Sequence, residues 1–245
     1  MRLAVIPARG GSKRIPRKNI RLFAGRPMIA YAIAVARESG LFERVVVSTD
    51  DEEIAQIARK NGAETPFMRP QSLADDYTPT VPVIADAIIR CKRIGWNISQ
   101  VCCIYPCVPF VRATDLIDGL RLLETSRADY AFSIAEFPAA IQRAMRRDPG
   151  GRVSPFFDGD ELVRTQDMEQ AFYDAGQFYW GGQAAWLNNP RIHSSGAGLI
   201  IPRTRVIDID TNDDWAIAEL MQKEFQHFFV PAAQQREADV SGDKG

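Results

Sequence analysis

Histidine and cysteine are scarce in this sequence: only His193 and His227, and four cysteines, occur among 245 residues. Three of the thiols fall in one apolar stretch, "VCCIYPCVPF", with no histidine nearby to complete a zinc set. Core thiols in a reducing compartment are therefore expected in preference to a metal site. Long hydrophobic runs are also missing, and none approaches the roughly 20 apolar residues that a membrane helix requires. The N-terminal apolar run is too short for a secretory leader and is closed by Arg9. A cytoplasmic protein with no membrane partner is expected. Excess charge of either sign is absent as well, with 30 basic residues against 31 acidic ones and a net charge of −1. No global field draws such a chain to nucleic acid or to an acidic surface, so any anion site must be local.

A local concentration of charge stands at the N-terminus. "IPARGGSKRIPRKN", residues 6–19, holds five cations, two adjacent glycines and two prolines, directly after the strand-like run Leu3, Ala4, Val5, Ile6. Gly10 and Gly11 let backbone N–H groups approach an anion closely. Arg9, Lys13 and Lys18 supply charge, and Ser12 a hydroxyl. The bland alternative is a solvated basic loop that caps a sheet. The loop is neither a Walker A motif nor G-x-G-x-x-G.

Strand-like runs at 1–7, 44–50 ("RVVVSTD"), 100–105 and 130–135 alternate with helical patterns. Those patterns lie at "MIAYAIAVARESG", at "DEEIAQIARKNG", from about Thr80 to Arg93, and from about Ala113 to Thr125. Continuous β-branched runs separated by helices predict an α/β fold with a doubly wound, mainly parallel sheet. From 136 to 176 no period survives, and this segment reads as an insertion that covers the site or supplies a subunit contact. Order returns at "GQFYWG", "AGLIIP" and "RVIDIDTNDDW", the last leading into a helix with Ile217, Leu220, Met221 and Phe225 on its apolar face. A single domain over 1–230 and a disordered polar tail over 231–245 are expected.

Ligands in open α/β sheets sit beyond the carboxyl ends of the strands. The clusters 9–19, 48–50, 105–109 and 208–210 all fall at or near predicted strand ends. In an extended "DID", Asp208 and Asp210 share a face roughly 7 Å apart. That pair suits one Mg²⁺ completed by waters and phosphate oxygens, or it is merely an acidic entry to a helix capped by Thr211 or Asn212. "MRPQSLADDYTPT" (68–80) reads as a long functional loop or as a surface loop with Thr80 as helix cap. "AIQRA" (140–144) and "YDAGQFYWGG" (173–182) carry the Gln, Arg and aromatic side chains that grip a polyhydroxylated ligand, or a protein interface.

These stretches together resemble the cytidylyltransferases that activate nine-carbon sialic-type sugars as CMP-sugars. "PARGGSKRIPRKN", "VSTDDEEIA", "RPQSLADD" and "IDIDTNDDW" carry the resemblance, over residues 1 to about 225. "IQRA", "DAGQFYWG" and "YPCVPF" are most similar to the branch acting on pseudaminic acid. Neuraminate-type members have Gln-Pro-Thr-Ser-Pro where this chain has Tyr105 to Pro109, and an Asn-Gly pair near Ala175 and Gly176. The resemblance implies CTP and an acidic nine-carbon keto-sugar as substrates, and Mg²⁺ (with Mn²⁺ as substitute) as cofactor. It places Arg9, Gly10, Gly11, Ser12, Lys13 and Lys18 on the triphosphate and Asn19, Arg69, Thr78 and Thr80 around the nucleoside. Arg9, Lys13 and Lys18 act in catalysis on this reading, Asp208 and Asp210 hold the metal, and Tyr105, Gln142, Arg143 and Gln177 face the sugar. A homodimer built partly on the 136–176 segment is also implied. The alternatives are an enzyme for neuraminate or another keto-sugar, a silent nucleotide-binding module, and a phosphatase. The last wants a nucleophilic Asp just after the first strand, where this chain has Pro7-Ala8-Arg9.

Overall fold

The computed structural model describes residues 1–159 and 162–228. In chain order its elements are β1 (Arg2–Pro7), β2 (Leu22–Phe23), β3 (Arg26–Pro27), α1 (Ile29–Glu38), β4 (Arg44–Ser48), α2 (Glu52–Lys60) and α3 (Thr80–Arg93). There follow β5 (Gln100–Ile104), α4 (Ala113–Ser126), β6 (Tyr130–Glu136), β7 (Met145–Arg147), β8 (Val153–Pro155) and β9 (Phe172–Gly182). The last are α5 (Gln183–Asn188), β10 (Gly196–Ile200) and α6 (Asn212–Phe228).

Six strands form the central sheet in the order β10-β6-β9-β5-β1-β4. Pairing is parallel except at β9, which runs antiparallel to both neighbours. The expected doubly wound α/β architecture is therefore present. Its cause is visible in the strands, where both faces are apolar and both are covered. Ala4 and Ile6 of β1 and Cys102 and Ile104 of β5 pack with α1, α2 and α4 on one side. Leu3, Val5, Val101 and Cys103 pack with α3 on the other. Gly119 lets α4 settle on the sheet, since a Cβ there would stand 2.7 Å from the Phe178 ring.

Local signals position the elements. Asp51 caps α2 by accepting the Ile54 amide at 3.0 Å, a contact of about 1 kcal/mol, and Gly62 leaves the helix with φ +89°. Thr211 and Asp214 cap α6 reciprocally. Thr80 is not a cap: Pro79 holds that position, and the Thr80 hydroxyl bonds Tyr105 instead.

Three expectations are corrected. β9 begins at Phe172, inside the span read as an insertion, because residues 172–174 pair with the end of β6 across a register shift near Gly176. Segment 206–210 is not a sheet strand; it follows a 3₁₀ turn at Arg203–Arg205, although Ile209 is buried as alternation requires. In α6 the packed stripe is Trp215, Ala218 and Met221 against Phe23 and Phe110. Ile217 and Leu220 are exposed, because the segment meets the fold one flank further round the helix. Phe225 lies outside the described side chains, and the tail 231–245 outside the described residues. No helix among the described residues is long and apolar enough to cross a membrane.

Candidate active site

After β1 the chain goes to β4 on one side, then returns to place β5 on the other. That reversal opens a crevice at the carboxyl ends of β1 and β5, the place where open α/β sheets bind ligands. A cavity of about 350 Å³ lies there. Pro7 and Arg9 reach it from β1, Tyr105 and Pro106 from β5, and Thr80 and Val83 from α3.

The opening loop forms the cationic wall, with Arg9, Ser12, Lys13, Arg14 and Lys18 all lining the cavity. The fifth cation, Arg17, points elsewhere. It holds the Asp51 cap of α2, and that bond keeps the Asp51 carboxyl below its ordinary value. Each of the four loop cations in the cavity already faces a carboxylate of this chain. Arg9 meets Asp76 at 2.6 Å and Lys13 meets the same carboxylate. Arg14 and Lys18 meet Asp210 at 2.8 and 3.2 Å. The Lys13 ammonium holds the Asp76 carboxyl below the usual carboxylate range. The Gly10 amide is likewise aimed at an anion, donating to Asp50 at 2.9 Å. Gly11 has open space where a side chain would stand.

The opposite wall is more deeply embedded. Asn19 is 5% exposed and donates to the Arg9 carbonyl at 2.9 Å, fixing the loop on which Arg9 sits. Arg69 is 6% exposed; its Nε donates to the Ser48 hydroxyl at 3.1 Å and another guanidinium nitrogen to the Ser48 carbonyl. Burial pushes its pKa down to about 10, so it stays charged at neutral pH. Thr78 lines the cavity while its hydroxyl donates to Asp75 at 2.7 Å.

Asp210 lines the cavity, whereas Asp208, two residues earlier, is not among the residues that line it. Burial, and then the charge of Asp210, raise the Asp208 carboxyl above its ordinary value. Among the described residues no cluster of three or more His, Cys, Asp or Glu forms a metal cage. Two carboxylates under mutual repulsion, with no further protein ligand, fit a hard divalent cation that takes its remaining oxygens from water and phosphate.

The other residues expected on the sugar side lie apart from this cavity. Gln177 is buried, its side-chain amide donating to the Arg205 carbonyl at 2.8 Å, while its backbone carbonyl accepts the Tyr105 amide. Gln142 donates to the Glu169 carbonyl and Arg143 to the Val163 carbonyl, both within the 137–171 segment. Tyr105 does line the cavity, and it also lines a second one of about 540 Å³ that Thr80 shares. Arg14, Asp75 and Asp76 were missed as cavity residues, although the density of charge in both loops was the available signal. Of the second cavity, Asp174 and Tyr179 lie in the 173–182 stretch singled out for ligand contacts, whereas Arg191 and His193 had no comparable signal.

Comparisons with known proteins agree with this geometry. The family model for cytidylyltransferases matches residues 3–174. A pseudaminic acid cytidylyltransferase of Campylobacter jejuni subsp. jejuni serotype O:2 is 39% identical over 222 residues, covering 90% of this chain and 96% of that protein. A CMP-N,N'-diacetyllegionaminic acid synthase of Legionella pneumophila is 30% identical over 237 residues, 93% of this chain and 99% of that one. Among solved structures, a CMP:2-keto-3-deoxy-manno-octonic acid synthetase complexed with CTP shares the fold, with a TM-score of 0.69 at 15% identity over 91% of this chain and 98% of that one. With a matching model over most of its length and relatives spanning nearly all of it, the chain belongs to the cytidylyltransferase family.

Proposed function

We propose that this chain transfers the CMP group of CTP to the anomeric hydroxyl of pseudaminic acid and releases pyrophosphate. The observation that carries the reading is the convergence of four loop cations, a buried arginine and the Asp210 carboxylate on one cavity at the switch point of the sheet. A relative 39% identical over 90% of the chain bears the name of that activity.

The hydroxyl attacks the α-phosphorus in line while the highly charged pyrophosphate departs. Positioning and charge neutralisation do most of the work in such transfers. Arg9 and Lys13 exchange Asp76 for the outgoing phosphates, and Ser12 and the loop amides add donors. Asp208 and Asp210 hold Mg²⁺, which supplies charge neutralisation at the transferring group, and Mn²⁺ substitutes for it. Lys18 steadies Asp210 and the Ile209 carbonyl, to which it donates at 2.7 Å. Two of the nitrogens of Arg69 are committed to Ser48, and the remaining one addresses the base. Cytosine accepts at O2 and N3, whereas uracil presents a donor at N3. We expect kcat/KM for CTP to exceed that for UTP by at least about 10²-fold, since a polar site rejects the wrong pattern by leaving buried groups unpaired.

Asp76 gives a separate expectation. It occupies the cations that the triphosphate needs, so Asp76→Asn should tighten CTP binding a few-fold in calorimetry. Weaker binding would instead make Asp76 part of the nucleotide site.

Burial pushes all four thiols upward, Cys91 and Cys107 to about 12. These inert free thiols and the CTP donor support a cytoplasmic location. Met145, Val153, Phe156 and Phe157 are exposed on and beside the β7–β8 hairpin, an apolar surface that supports a homodimer. The deciding experiment supplies purified protein with CTP, Mg²⁺ and pseudaminic, N,N'-diacetyllegionaminic or N-acetylneuraminic acid, and follows pyrophosphate. Pseudaminic acid should be preferred over N-acetylneuraminate by at least about 10²-fold in kcat/KM; a preference for another sugar would reassign the acceptor.

A further inference from the structure

The second cavity, about 540 Å³, meets the nucleotide cavity at Thr80 and Tyr105. Its far wall carries Asp174, Tyr179, Arg191 and His193. Asp174 organises that wall. One carboxylate oxygen accepts the Gly176 amide at 2.9 Å, which the left-handed backbone of Gly176 (φ +62°) turns back onto it. The other accepts the Tyr179 hydroxyl at 2.8 Å and lies 2.7 Å from His193 Nε2.

A carboxylate can only accept, so Nε2 must carry the proton of this contact. The neutral imidazole then keeps a lone pair at Nδ1, and no hydrogen bond engages Nδ1 among the described residues. Phe132 stands edge-on to the imidazole at 5.3 Å and fixes the ring plane from the apolar side. Folding gives little reason for this care. The His193 side chain is 66% exposed, and a hydrogen bond at that exposure adds little to stability.

The wall is also tied to the seam between the cavities. The Tyr179 ring lies 5.3 Å from that of Tyr105, and the Tyr105 and Thr80 hydroxyls bond at 2.7 Å. An acceptor seated against His193 therefore presents its other end where the nucleotide cavity begins.

We infer that His193, held in one tautomer by Asp174, is a specificity-determining residue for the acceptor, with Nδ1 accepting an acylamino N–H of the sugar acid. This rests on the function proposed above. Arg191 can donate to the sugar, whereas the Tyr179 hydroxyl proton is spent on Asp174 and that carboxylate already accepts from three donors. Nδ1 is thus an acceptor on that wall available to a donor of the sugar acid.

The test compares wild type, His193→Leu and His193→Gln with CTP and Mg²⁺, using pseudaminic acid and N-acetylneuraminate as acceptors. Leucine removes both polar edges; glutamine retains a donor for Asp174 and an acceptor for the sugar. His193→Leu should raise the KM for pseudaminic acid about tenfold or more, as expected for an amide left unpaired. Its KM for CTP should stay within about twofold, as should the CTP affinity measured by calorimetry. His193→Gln should restore most of the acceptor affinity. An unchanged acceptor KM in His193→Leu, or equal losses for CTP and sugar, would overturn the assignment while leaving the proposed function standing. Wild-type protein that binds CTP but releases no pyrophosphate with any of the acidic sugars would overturn both.

Discussion

Asp210→Asn should remove turnover at ordinary Mg²⁺ concentrations, by about 10³-fold or more, and recover part of it at high Mg²⁺ or with Mn²⁺. The change is nearly isosteric and takes away one negative charge. Asp210 is where three features meet: it faces Arg14 and Lys18, it lines the cavity at the ends of β1 and β5, and it adds to burial in raising the Asp208 carboxyl. Losing a preorganised charge at a phosphoryl centre costs on the order of 4 kcal/mol of transition-state stabilisation. Folding should be preserved, because the backbone amide of Asp210 keeps its bond to Asp214 and the buried anchor of the segment is Ile209. Lys13→Ala, on the exposed side of the same cavity, should cost roughly 10²-fold in turnover with no change in melting temperature. Wild-type turnover that survives EDTA would reduce Asp208 and Asp210 to a polar entry of α6.

The parts of this site legible in the sequence were those in which chemistry and a strand end coincide locally. β1, β4 and β5 are continuous apolar runs because both faces are covered, and the basic loop follows β1 without interruption. Arg9, Lys13, Lys18, Asn19, Arg69, Thr78, Thr80, Tyr105 and Asp210 accordingly reach one cavity. What was not legible depends on contacts between distant segments. Asp76 lies more than sixty residues from the cations it neutralises, and no periodicity reports such a pairing. Asp174 and His193 meet across β9 and a later turn. Gln177 shows the limit of alternation: the irregularity near Gly176 lets its amide reach the Arg205 carbonyl and not the cavity. Helix α6 failed for a similar reason, since several apolar residues offered two candidate stripes and only the packing on Phe23 and Phe110 selects between them.

The largest stability effect is expected at Arg205, which the cavity never touches. Its guanidinium grips Asp115 with two nitrogens, at 2.5 and 3.0 Å, and reaches the Phe110 carbonyl at 3.3 Å. Both side chains are about 10% exposed. Asp115 also accepts the Arg112 amide at the start of α4, so the pair fastens the turn 203–205 to the first turn of that helix. Arg205→Met keeps much of the volume but leaves Asp115 buried without its cation, which costs about 3–5 kcal/mol. For a chain of this size that is roughly 6–20 °C in melting temperature. Replacing both partners, as in Asp115→Leu with Arg205→Met, should cost much less than the sum of the single changes, because no buried charge is then left alone. Segment 206–210 follows directly on Arg205, so the single variant should also lose turnover at temperatures where it remains folded, through displacement of Asp208 and Asp210. The double variant separates these effects: regained stability with poor turnover means that the bidentate grip itself aims the carboxylates, while regained stability with full turnover means that Ile209 suffices. A melting temperature of Arg205→Met within 2 °C of wild type, on the scale of about 1 kcal/mol, would show that Asp115 finds water or another donor, and the pair would then have no structural role.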